Sequence, residues 1–154
     1  MKSIPSHHLL KGAVITGILN ALINGIINWF QVRQQDSILI TADAISNREH
    51  TVMGSTVMLA LMLSVIIASI AWFTMKDPVK PKFFPGVFLL ILKNALFLFG
   101  TFVTVAILWQ RYAGSVEVTP ITAAILTGVF AGIVAGMTDY LTRKELLTKT
   151  SKQV

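Results

Sequence analysis

Four long apolar runs, at about residues 9–30, 51–73, 84–109 and 120–140, restrict this chain more than any other feature. Charge enters them only at Lys11, Lys93 and Asp139. At a helical rise of about 1.5 Å per residue, each run can bridge a hydrocarbon layer about 30 Å thick, whereas open strands or loops would leave backbone groups unpaired there. The expected fold is all-α: a four-transmembrane-helix bundle forming a single membrane domain over residues 1–154. Composition agrees, since 54% of the residues are hydrophobic and 13% charged, against an apolar share of about 45–50% in soluble domains.

The connections carry the charge. Residues 31–50 mix Arg33, Asp36, Asp43, Arg48 and Glu49 with Ile38, Leu39, Ala42 and Ile45, whose spacing predicts a short amphipathic helix at the outer surface. Residues 74–85 form a basic turn with Lys76, Lys80, Lys82 and three prolines, which stop a helix. Pro120 suits the first turn of the last span, and Arg143, Lys144, Lys149 and Lys152 mark residues 141–154 as a basic tail. Lys2, Lys11, Lys76, Lys80, Lys82 and these four lie on one side, against Arg33, Arg48 and Arg111 on the other, so both termini are expected in the cytoplasm. The net charge of +6 is thus a matter of topology and calls for no nucleic acid. Lys2 and Lys11 before an apolar run imitate a signal peptide, but the run is as long as a spanning helix and no small-x-small cleavage site follows it.

Within the first span, Thr16, Asn20, Asn24 and Asn28 recur every four residues and form one slowly drifting polar stripe. Lipid cannot satisfy an amide, so the stripe must face helices or water. Two consequences remain open: the amides bridge helices, or they line a hydrated cavity with Thr16, Ser64, Thr101, Thr104 or Thr127 as neighbours. Lys93 is the second candidate, because an ionisable group within a span is a functional hypothesis by default. Counted from Trp109 it lies about 24 Å along the helix, near enough to the inner boundary to snorkel; the alternative is a buried amine facing Asn94 or the Asn stripe. Gly128, Gly132 and Gly136, with Ala124, Ala131 and Ala135 beside them, predict a close helix contact.

Other residue types give less. His7 and His8, and the set Asp36, Asp43, Glu49 and His50, lack the spacing of a metal site; Met53, Met58 and Met62 suit packing, and Asp139 suits an interfacial pair with Arg143. The chain has no cysteine, no phosphate-binding glycine loop and no nucleophile elbow, so no cofactor is expected and enzymatic chemistry has little support. A short echo, Leu9-Leu10-Lys11-Gly12-Ala13 against Ile91-Leu92-Lys93-Asn94-Ala95, fits a parallel two-plus-two construction. In architecture, though not in motif, the layout resembles the small four-span bacterial membrane proteins loosely labelled permeases, and that likeness implies an inner (plasma) membrane. The acidic residue inside the first span on which small multidrug exporters rely is missing, and the glycines do not follow the pattern of fluoride channels. The expected function is transport or conduction of a small polar solute or ion by a homo-oligomer in the lipid bilayer, the competing class being a membrane scaffold or accessory subunit. A lipid-handling enzyme using the outer acidic loop is the third.

Overall fold

The computed structural model describes residues 6–42, 51–75 and 80–151. In chain order these form α1 (Ser6–Val32), β1 (Ile38–Ile40), α2 (Val52–Phe73), α3 (Phe88–Ala113), β2 (Val116–Val118) and α4 (Pro120–Ser151). Among the described residues the four helices are each long and apolar enough to cross a membrane. Local chemistry sets their ends. Thr51 caps α2 by accepting the Gly54 N–H at 3.1 Å, and Thr119 accepts the Thr122 N–H at 3.3 Å just before Pro120 opens α4. Gly114, at φ 69°, turns the chain out of α3 in a conformation that residues with a Cβ rarely adopt.

α4 is the hub. α1 packs along it and makes no comparable contact with α2 or α3, while α2 lies on another flank of α4 and α3 leans chiefly on α2. The core of this arrangement joins Val57, Ala60 and Leu63 of α2, Leu98, Phe102 and Ala106 of α3, and Ala131, Val134 and Ala135 of α4. Phe102 meets Phe130 edge-on at 5.9 Å between ring centroids. A second apolar cluster, at the end of the bundle where α3 begins, joins Ala68, Val87, Leu90, Ile91 and Leu146. Outside, large apolar side chains stand exposed on every helix, among them Ile18, Leu22 and Ile26 on α1, Ile66 on α2, Phe97 on α3 and Ile125 on α4. Such a surface suits lipid rather than water.

Three expectations are corrected. Ile38–Ile40 is a strand, not part of an amphipathic helix; it pairs antiparallel with Val116–Val118, Ile38 opposite Val118 and Ile40 opposite Val116. A pairing partner 76 or more residues away decides this, and Ile38 and Ile40 gain burial from it. Asp43, Ile45, Arg48, Glu49 and His50 lie outside the described residues, as do Lys76 and Pro78 of the basic turn. Residues 141–151 are helical rather than a separate tail: α4 continues to Ser151, buries Leu146 fully and reaches across to α3. Met53 is buried but Met58 and Met62 are exposed, so the three methionines do not share a packing role.

Candidate functional site

α1 and α4 approach through small residues on both. The partners of Gly128, Gly132 and Gly136 are Ala13, Gly17, Ala21 and Gly25, each step of four along α1 matched by a step of four back along α4. A Cβ built on Gly128, Gly132 or Gly17 would meet the carbonyl oxygens of Ala21, Gly17 and Gly132 at 2.7, 2.8 and 2.9 Å. The two backbones are therefore in contact, and any side chain at these positions must push them apart. The sequence shows the α4 half of this contact plainly; the α1 half is hidden because its small residues alternate with the Asn stripe.

The antiparallel contact has two sides. Residues one position after the contact stripe line an apolar side: Leu22, Ile26, Ile125 and Val129 border an open groove of about 510 Å³, and Val14, Ile18, Ile133 and Met137 border another of about 550 Å³. Residues one position before it fall on the opposite side by the same helical geometry. There stand Thr16, Asn20 and Asn24, which are half-buried, Asn28, which is buried, and the buried Thr127. The Asn20 amide donates to the Thr16 carbonyl at 2.8 Å and the Asn24 amide to the Asn20 carbonyl at 2.9 Å. Both amide NH2 groups thus turn onto their own helix. Among the described residues, no hydrogen bond carries Asn20 or Asn24 to another helix, and Asn28 Oδ1 and Thr127 Oγ1 are buried without a partner.

The polar row has one more member, which its residue type concealed. Gly12 stands four residues before Thr16, so Gly12, Thr16, Asn20, Asn24 and Asn28 mark about 24 Å of one helix face. Opposite Gly12 is the Asp139 carboxylate of α4: a Cβ on Gly12 would find only Asp139 Oδ2 within 4 Å, at 3.9 Å. Asp139 does pair with Arg143, Nε to Oδ1 at 2.8 Å, yet it is 2% exposed, and Oδ2 is buried with no partner. Its position seven residues after Gly132, on the glycine face, was the signal available in the sequence.

The remaining candidates lie elsewhere. Lys93 is not a buried amine: its side chain is 60% exposed and its Nζ stands 2.6 Å from both carboxylate oxygens of Glu145, a partner supplied by the unforeseen extension of α4. Asn94 is buried and donates to Thr142 Oγ1 at 3.3 Å, bridging α3 to α4. Thr101 and Thr104 are exposed and donate to carbonyls of their own helix, apart from the seam. Ser64 accepts from Thr138 at 3.3 Å in the α2–α4 core. His7 and His8 are exposed, and no group of three or more potential metal ligands occurs among the described residues.

Among the described residues these features define a class: a chain of four helices apolar enough to cross a membrane, carrying a partly buried polar row, with three buried unpartnered oxygens, beside a glycine-lined contact. No protein family, curated protein or solved structure matches the chain.

Proposed function

We propose that the chain is an integral membrane protein crossing a bacterial inner membrane four times, termini in the cytoplasm, and that it conducts or carries a small polar solute or ion along the α1–α4 seam. Three buried oxygens without a protein partner, Asn28 Oδ1, Thr127 Oγ1 and Asp139 Oδ2, support this. Leaving a buried polar atom unpaired costs about 1–3 kcal/mol, so a partner that comes and goes, water or permeant, is the economical account of three in one seam. A scaffold that used the stripe to bridge helices would spend its amides across the interface, whereas Asn20 and Asn24 turn theirs onto α1. Because one chain encloses little interior, the pathway belongs to a homo-oligomer in which further copies complete the lipid-facing side. Replacing Asn20 and Asn24 together by leucine abolishes solute flux in reconstituted vesicles and leaves assembly intact. Loss of assembly itself, read by size-exclusion chromatography in detergent, would favour the scaffold.

A further inference from the structure

Lys93 is neutralised at the surface by Glu145. The ionisable group that the seam does contain is Asp139, buried, with one carboxylate oxygen committed to Arg143 and the other to nothing. A carboxylate only accepts hydrogen bonds, so Oδ2 can be completed only by a donor. The rest of the row offers acceptors too. Asn20 and Asn24 turn their NH2 groups onto α1 carbonyls, and Asn28 presents a buried, unpaired Oδ1. At Gly12 no side chain intervenes, and Oδ2 is the only atom outside its own helix within 4 Å of where one would begin.

We propose that Asp139 makes the inner end of the seam a binding station for a small cation bearing N–H donors, of the ammonium or guanidinium class, with Oδ2 as the accepting atom. The proposal rests on the conduction reading above and gives it a substrate class. Arg143 limits the site: its guanidinium holds Oδ1 and, through Nη2, lies 3.4 Å from Thr74 Oγ1 of the residue closing α2. On α1 the flanking charged or titratable groups are His8 and Lys11, both exposed. A permeant cation therefore shares the carboxylate with one resident cation. Binding stays weak enough for release, and removing that resident should strengthen it.

The test uses the full chain in planar bilayers under a methylammonium chloride gradient, reading cation-over-anion preference from the zero-current potential. Wild type is expected to prefer methylammonium over chloride. Asp139→Asn, nearly isosteric, should cut that preference at least about tenfold, as expected for losing a hydrogen bond to a charged acceptor. Arg143→Gln, which keeps the carboxylate, should raise it, a change that a purely structural role for the pair does not produce. Substituting potassium should lower the preference in wild type; an equal or higher preference for potassium overturns the N–H donor assignment. A preference unchanged in Asp139→Asn, or for chloride in wild type, overturns the cation station while the conduction reading stands, provided the Asn20/Asn24 double leucine variant still blocks current. Absence in wild type both of current and of methylammonium uptake into reconstituted vesicles removes the transport reading and the station with it.

Discussion

At the scale of single residues, the glycines differ by what surrounds them. Gly132 has backbone and the Ala21 side chain within 3 Å of its missing Cβ, whereas Gly100, exposed on α3, has nothing within 4 Å. Gly132→Ala is thus expected to destabilise the fold by about 1–3 kcal/mol through overpacking, and Gly100→Ala to stabilise it by up to about 1 kcal/mol through helix propensity. Thermal unfolding in detergent, followed by the tryptophan fluorescence of Trp29, Trp72 and Trp109, separates the two. Equal effects would contradict the close contact. The glycine repeat was legible because spacing alone reveals it; the role of Asp139 was not, because an aspartate four residues before an arginine reads as a simple pair until burial exposes the second oxygen. Gly12 was invisible as a member of the polar row, having no side chain to count.

Among elements, the short strand pair shows what one-dimensional spacing misses. Ile38, Leu39 and Ala42 fit a helical face as well as a strand, and the deciding contacts come from the far side of the chain. Gln110 of α3 holds the corner: its Oε1 accepts from Thr41 Oγ1 at 3.0 Å and from the Ala42 N–H at 3.1 Å, and its Nε2 donates to Ser115 at 3.3 Å. Gln110→Ala should cost about 1 kcal/mol by removing the acceptor of Thr41 Oγ1 and the Ala42 N–H, and should speed amide hydrogen exchange at Ile38–Ile40 more than within α2. Uniform exchange across both segments would contradict the lock. The Lys93–Glu145 pair, by contrast, is solvent-facing, with the lysine side chain 60% exposed. Lys93→Met is therefore expected to shift stability by no more than about 1 kcal/mol and to leave ion preference unchanged.

For the whole molecule, the spans could be counted from sequence because apolar length is a local property; their neighbours could not, since any of four greasy rods can pack against any other. The proposed orientation has a direct check. On spheroplasts, a membrane-impermeant maleimide should label Gln34→Cys, on the exposed turn after α1, but reach exposed Lys82→Cys only in inverted vesicles, a clean comparison in a chain with no cysteine of its own. Labelling of both from one side would refute four crossings. α1 leans chiefly on α4, through small residues spaced evenly on both helices, and evenness has a mechanical consequence: along its middle such a screw thread has no preferred notch. Slid by four residues, about 6 Å, toward the start of α4, Gly17 would lie between Gly128 and Gly132 instead of between Gly132 and Gly136, and the small faces would still match in mid-helix. The ends object: such a slide would set Leu9 against Gly136 and His8 against Asp139, which now faces Gly12. One carboxylate is then the catch on a sliding bolt, and whatever occupies its free oxygen also decides how firmly that bolt is held.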